Sequence, residues 1–83
     1  MSPYIAPITR QIWENKFPQM LGAGELAYVI TKACLTYLED ANLDYSSYAQ
    51  VVGILETVKL ELYRRMVVPY EDRKCQENGD VFT

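Results

Sequence analysis

The segment YSSYAQVVGILETVKLELYRRMVV constrains this chain more than any other stretch. Its apolar residues recur at three and four, so the spacing predicts one helix over about residues 46 to 67, with Asp44 or Ser46 available to cap its start. VVGIL in isolation has the look of a strand, but its flanks on both sides keep the helical period. A helix this long in a chain of 83 residues leaves room only for short partners.

Those partners are legible on either side. The prolines at 3, 7 and 18 and the glycines at 22 and 24 confine the first part to one short helix, about residues 8 to 16, with Ile8, Ile12 and Trp13 as its apolar side. From Gly24 a second helix is predicted to about Asp40. Glu25 favours its first turn, and Leu26, Val29, Ile30, Ala33 and Tyr37 form its stripe. Tyr28 and Leu35 lie on its back, and a helix apolar on two sides usually touches two things. Pro69 either breaks the long helix or begins a new first turn, which Glu71 and Asp72 would suit, and Asn78 with Gly79 closes that last helix. The expected fold is a single all-α domain over 1–83: three or four helices, the third long, a short C-terminal helix after Pro69, and 1–23 as an N-terminal segment preceding a core at 24–82.

Winding the long helix at about 100° per residue places Lys59 within the arc of Val52, Tyr48, Leu55, Leu62 and Met66, with Glu56 close by. Glu61 and Arg65 fall on the polar side, four apart, as in an ordinary surface pair. A carboxylate and an ammonium out of water cost several kcal/mol, so Glu56 and Lys59 must pair, reach solvent or meet another molecule. A structural bridge with a snorkelling lysine and a site for a ligand or partner are both open.

Composition excludes several classes. A net charge of −3 speaks against broad contact with a nucleic-acid duplex. No apolar run approaches the roughly 20 residues needed to cross a bilayer, and no basic-then-apolar leader opens the chain, so no membrane is expected and the cytoplasm is the expected location. Cys34 and Cys75 without any histidine do not make a zinc site, and the spacing of EDRKCQENGD does not match a calcium loop, so neither metal nor cofactor is expected. Cys34 sits in an apolar pattern and is expected buried, whereas Cys75 lies in a polar stretch and is expected exposed. Serines and threonines have no histidine base, and LGAGEL lacks a preceding strand and third glycine. The chain is therefore read as non-catalytic.

Seven tyrosines are many for this length, and Tyr63, Arg64, Arg65 and Tyr70 flank Pro69. Phenol rings stack on bases and guanidinium grips phosphate with two prongs, which suits a nucleotide-sized ligand; tyrosine equally fills protein contacts.

The residues GELAYVIT (24 to 31), VVGILETVKLELYRR (51 to 65) and PYEDRKCQENGDVF (69 to 82) resemble a family of small uncharacterised phage and bacterial proteins, with the pattern GELxYVIT, LExVKLELYRR, PYED and ENGDV. The resemblance brings no catalytic residues. It implies an accessory protein similar in kind to those that counter host defences, some of which are small oligomers that soak up nucleotide signals. The leading expectation is a homo-oligomer binding or sequestering a nucleotide-like host defence signal between subunits. Lys59, Arg64 and Arg65 would meet the anion, Tyr63 and Tyr70 would stack, and Glu56, Glu71 or Asp80 would orient the cations or accept from a base. The alternative is a protein–protein interaction module acting on a host or phage protein through the same apolar, tyrosine-rich surface, with Glu56 and Lys59 fixing register. A third reading is an enzyme using carboxylates alone.

Overall fold

The computed structural model describes residues 2–82, and every regular element among them is helical. Helix α1 spans Pro7–Trp13, α2 Ala23–Glu39, α3 Tyr45–Leu62 and α4 Val68–Asn78, with a π-helical segment, Tyr63–Val67, joining the last two. The all-α reading with a long third helix holds.

Local chemistry sets most of the boundaries. Pro7 lies in the first turn of α1, where a missing N–H costs nothing. That helix stops at Trp13 and not near residue 16, because Glu14 is extended and Asn15 takes a left-handed φ of 64°, a conformation asparagine tolerates better than most. The Glu25 carboxylate accepts the Leu21 N–H at 2.7 Å, so the first-turn acid of α2 also ties down the chain that leads into it. Asp44 caps α3: its carboxylate accepts the Ser47 N–H at 2.9 Å. At the far end Gly79 adopts a φ of 90°, which a side chain would resist, and its N–H donates to the Cys75 carbonyl at 2.8 Å.

Pro69 does not end the path. It sits in the first turn of α4, with Glu71 in that turn as its sequence position suggests, while Val67 before it keeps helical angles. A proline here lacks the N–H that would bond the carbonyl four residues back and would press its ring on that carbonyl. The π segment relieves this by widening one turn, and the Val68 N–H reaches the Tyr63 carbonyl five residues back. Helix therefore runs from Tyr45 to Asn78. At 1.5 Å per residue that is about 51 Å, which matches the longest dimension of the molecule, 50 Å.

Only half of this rod has company. Helix α2 packs beside α3 as a hairpin, whereas among the described residues α4 lies beside no helix but the π segment it continues. A tyrosine ties the hairpin, the Tyr37 hydroxyl donating to Gln50 Oε1 at 2.7 Å. A second tyrosine ties the N-terminal segment, Tyr4 donating to the Glu61 carboxylate on α3. Burial is correspondingly slight: Val51, at 8% exposure, is the one buried hydrophobic side chain among the described residues. Ile8, Ile12 and Trp13 of α1, Tyr28 and Leu35 on the back of α2, and Leu62 and Met66 on the rod all face outward. The radius of gyration is 16.9 Å, against about 12 Å for a compact chain of this length.

Candidate functional site

The residues singled out by sequence fall in three places along the rod. Glu56 and Lys59 lie on α3 and pair with each other, Nζ to Oε1 at 3.3 Å. They do so in the open, with Lys59 69% and Glu56 56% exposed, so in one chain the pair is a surface contact and not a buried bridge. The helical wheel put Lys59 in the apolar arc correctly. What it could not show is that, among the described residues, this arc is left largely exposed, with Val52 65% and Leu62 57% exposed.

Tyr63, Arg64 and Arg65 occupy the π segment. Arg64 is already engaged: Nε and a terminal nitrogen donate to both oxygens of Glu61 at 2.8 and 3.0 Å. Glu61 thus pairs with Arg64, three residues on, and not with Arg65 as the four-residue spacing suggested. The hydrogen bonds from Arg64 and then from Tyr4 hold the Glu61 carboxyl down at about 2, and the same carboxylate raises Arg64 above the usual guanidinium value. This knot of Tyr4, Glu61 and Arg64 was not visible to sequence reasoning, because its partners stand 57 residues apart.

Tyr70, Glu71 and Asp80 belong to α4 and its exit. Arg73 and Lys74 stand over the Tyr70 ring at 5.9 and 5.7 Å from its centroid, an attraction between cation and ring face that occupies one side of the phenol. Glu71 and Asp80 border a recess of about 430 Å³ with Cys75 and Phe82. Cys75 is half-buried there, not exposed as its polar neighbours implied, and Cys34 on α2 is likewise half-buried and not fully enclosed; both thiols are free. Among the described residues no group of histidine, cysteine or carboxylate side chains could hold a metal ion.

A larger cavity lies elsewhere, between α2 and α3. It is an open groove of about 670 Å³, and its walls include Phe17, Ile30, Tyr37, Leu55 and Leu62, with Lys59 as the charged member. Of the eight candidate residues, Lys59 alone borders the groove, and Glu71 and Asp80 border the α4 recess. One chain therefore does not bring the eight together. Phe17 and the α2 wall of the groove were not among the candidates, although the apolar spacing at Ile30, Ala33 and Tyr37 pointed at them.

The family described as "Domain of unknown function (DUF6899)" matches residues 2–81. The chain belongs to the DUF6899 family. The match takes in the N-terminal segment along with the helical hairpin and α4, so residues 2–23 are part of the DUF6899 unit. No curated protein and no solved structure matches the chain. No helix of the DUF6899 chain, among the described residues, is long and apolar enough to cross a membrane.

Proposed function

We propose that this protein is a non-catalytic helical interaction module that works as a homo-oligomer. One observation carries the reading: the chain exposes 7486 Å², whereas a compact monomer of 9.6 kDa exposes about 5,100 Å². The excess, about 2,400 Å² per chain, is of the size that obligate dimers bury. Leu26, Ile30, Val52, Leu55 and Leu62 contribute to it from two adjacent helices, and Ile30, Leu55 and Leu62 line one apolar groove between them. The groove between those helices suits a protein partner better than a nucleotide, because its walls are almost wholly apolar and Lys59 is its charged member.

The oligomer has a direct thermodynamic signature. If association supplies the core, the melting temperature falls by about 4 °C for each tenfold dilution, taking about 0.7 kcal/mol of unfolding enthalpy per residue in a dimer. A midpoint constant over a hundredfold range of concentration would show that one chain stands alone and the proposal is wrong.

A second reading rests on a separate observation, the cations and rings gathered on the projecting half of the rod: Tyr63, Arg64, Arg65, Tyr70, Arg73 and Lys74. Two such arms brought side by side in an oligomer would offer phosphate-gripping guanidinium and stacking phenol to a nucleotide-like signal, with Glu56, Glu71 and Asp80 as hydrogen-bond partners. In the phage and bacterial setting that the sequence pattern suggests, that ligand would be a host defence signal, and the target of the interaction module a host or phage protein in the cytoplasm. Titration calorimetry against a panel of cyclic and linear nucleotides separates the two. Micromolar heat that disappears in Arg64→Ala favours the ligand, and silence with retained helicity favours the protein target.

A further inference from the structure

Two helices of this chain carry the same spacing. On α3 it runs Tyr48, Val52, Leu55, Lys59, Leu62, and on α2 Leu26, Ile30, Ala33, Tyr37, steps alternating between four and three residues. That alternation is a seven-residue repeat with apolar first and fourth positions, the pattern by which one helix packs along another. All nine of these side chains are exposed in the single chain. Beside this stripe on α3, Val51, Ile54 and Val58 are buried or half-buried and line the groove along with Leu55, Lys59 and Leu62. Apart from the Tyr37 hydroxyl, which donates to Gln50, the hairpin therefore leaves the repeat largely uncovered.

We infer that α3 of a second copy, running antiparallel, lies in the groove between α2 and α3, so that two hairpins close a four-helix bundle; this rests on the oligomer proposed above. The occupant is fixed by three considerations. The uncovered area per chain is that of an obligate dimer. The groove borders the exposed stripes of both helices, with Ile30, Ala33 and Tyr37 on one wall and Leu55, Lys59 and Leu62 on the other. The α3 stripe is also complementary to itself when reversed. About a two-fold axis at the level of Thr57, Val52 of one copy meets Leu62 of the other and Leu55 meets Lys59, each first position opposite a fourth.

That register explains the charge that sits in the apolar arc. Lys59 would be covered by Leu55 of the other copy, one residue from Glu56 of that copy, and the two-fold repeats the contact. The exposed pair seen within one chain would become a pair of ion contacts across the interface. A lone lysine at a core position lowers stability and selects register, since a slip carries the ammonium away from Glu56 of the other copy and leaves it unpaired among apolar side chains. Five of the six groove-lining positions named above are uncharged, so Lys59 is the side chain that penalises a slip.

Cysteine pairing tests the register. In a Cys34→Ala, Cys75→Ala background, chains carrying Val52→Cys and chains carrying Leu62→Cys are unfolded together, refolded and oxidised. Bridging needs Cα atoms within about 7 Å, so the mixture should yield the mixed disulfide at least about tenfold over either self-linked product. Val52→Cys linking to itself as readily as to Leu62→Cys would indicate parallel helices and overturn the inference. Absence of any link in a protein that still sediments as a dimer would place the interface on another face, overturning the inference while leaving the oligomer reading intact. A strict monomer removes both. Should the cysteine variants fail to fold, Lys59→Glu and Glu56→Lys, at exposed positions, serve instead. Mixed, the two variants should associate at least about tenfold more tightly than either alone, a difference of about 1.4 kcal/mol; equal association in mixture and alone would refute the cross-interface pair.

Discussion

Neighbouring valines on α3 give the sharpest mutational test, because the single chain and the assembly treat them oppositely. Val51 is 8% exposed and Val52 is 65% exposed in one chain. Truncation to alanine removes two carbons, about 1.6 kcal/mol at about 0.8 per buried methylene, before any cavity term. For Val52 in an isolated chain only about a third of that area is shielded, so about 0.6 kcal/mol is at stake. The better helix propensity of alanine, about 0.5 kcal/mol, offsets nearly all of it. A free chain therefore predicts no effect from Val52→Ala. With α3 covered by a second copy the full transfer term applies, leaving about 1 kcal/mol per chain after the propensity gain and about 2 kcal/mol per dimer, roughly thirtyfold weaker association. Urea denaturation at fixed concentration, with the dissociation constant followed by sedimentation, reads this. If Val51→Ala is destabilising and Val52→Ala matches the wild type in both assays, the α3 stripe faces water and the reasoning fails.

Other outcomes follow from contacts within the chain. The Glu61 carboxyl is held at about 2 from its ordinary 4.5, so its interactions with Arg64 and Tyr4 contribute fully above pH 4.5 and are lost as pH falls from there towards 2. Stability measured across that window should decline, and Glu61→Gln should flatten the decline; an unchanged slope would mean the contact to the N-terminal segment does not form in solution. Asp44 is likewise lowered, chiefly by the Ser47 N–H it accepts. Asp44→Ala should lower the melting temperature by on the order of a few degrees and Asp44→Asn by much less, with oligomer mass unchanged; equal losses would point away from capping.

Much of the fold was readable because its punctuation is chemical. Asp44 before α3, Glu25 in the first turn of α2 and Gly79 after α4 each act through a short-range hydrogen bond or a backbone angle, and each stands where its residue type implied. The π segment was not readable, since Pro69 signals that a helix must adjust but not that the adjustment is one wide turn at Tyr63–Val67. The short end of α1 depends on Asn15 taking a left-handed angle, which the sequence permits without requiring. The candidate site was legible by direction and not by distance. Periodicity placed Lys59 among apolar neighbours, but periodicity says which side chains share a face and nothing of what lies against that face. Tyr4 with Glu61, and Phe17 at the groove, are meetings of the N-terminal segment with distant helices that no local pattern encodes.

Sedimentation equilibrium at micromolar concentration weighs the central claim most directly. A mass near twice the 9.6 kDa chain, or a higher even multiple, is what a hairpin that completes its core with its own copy must give. A mass of one chain, with the helices still folded, would contradict it.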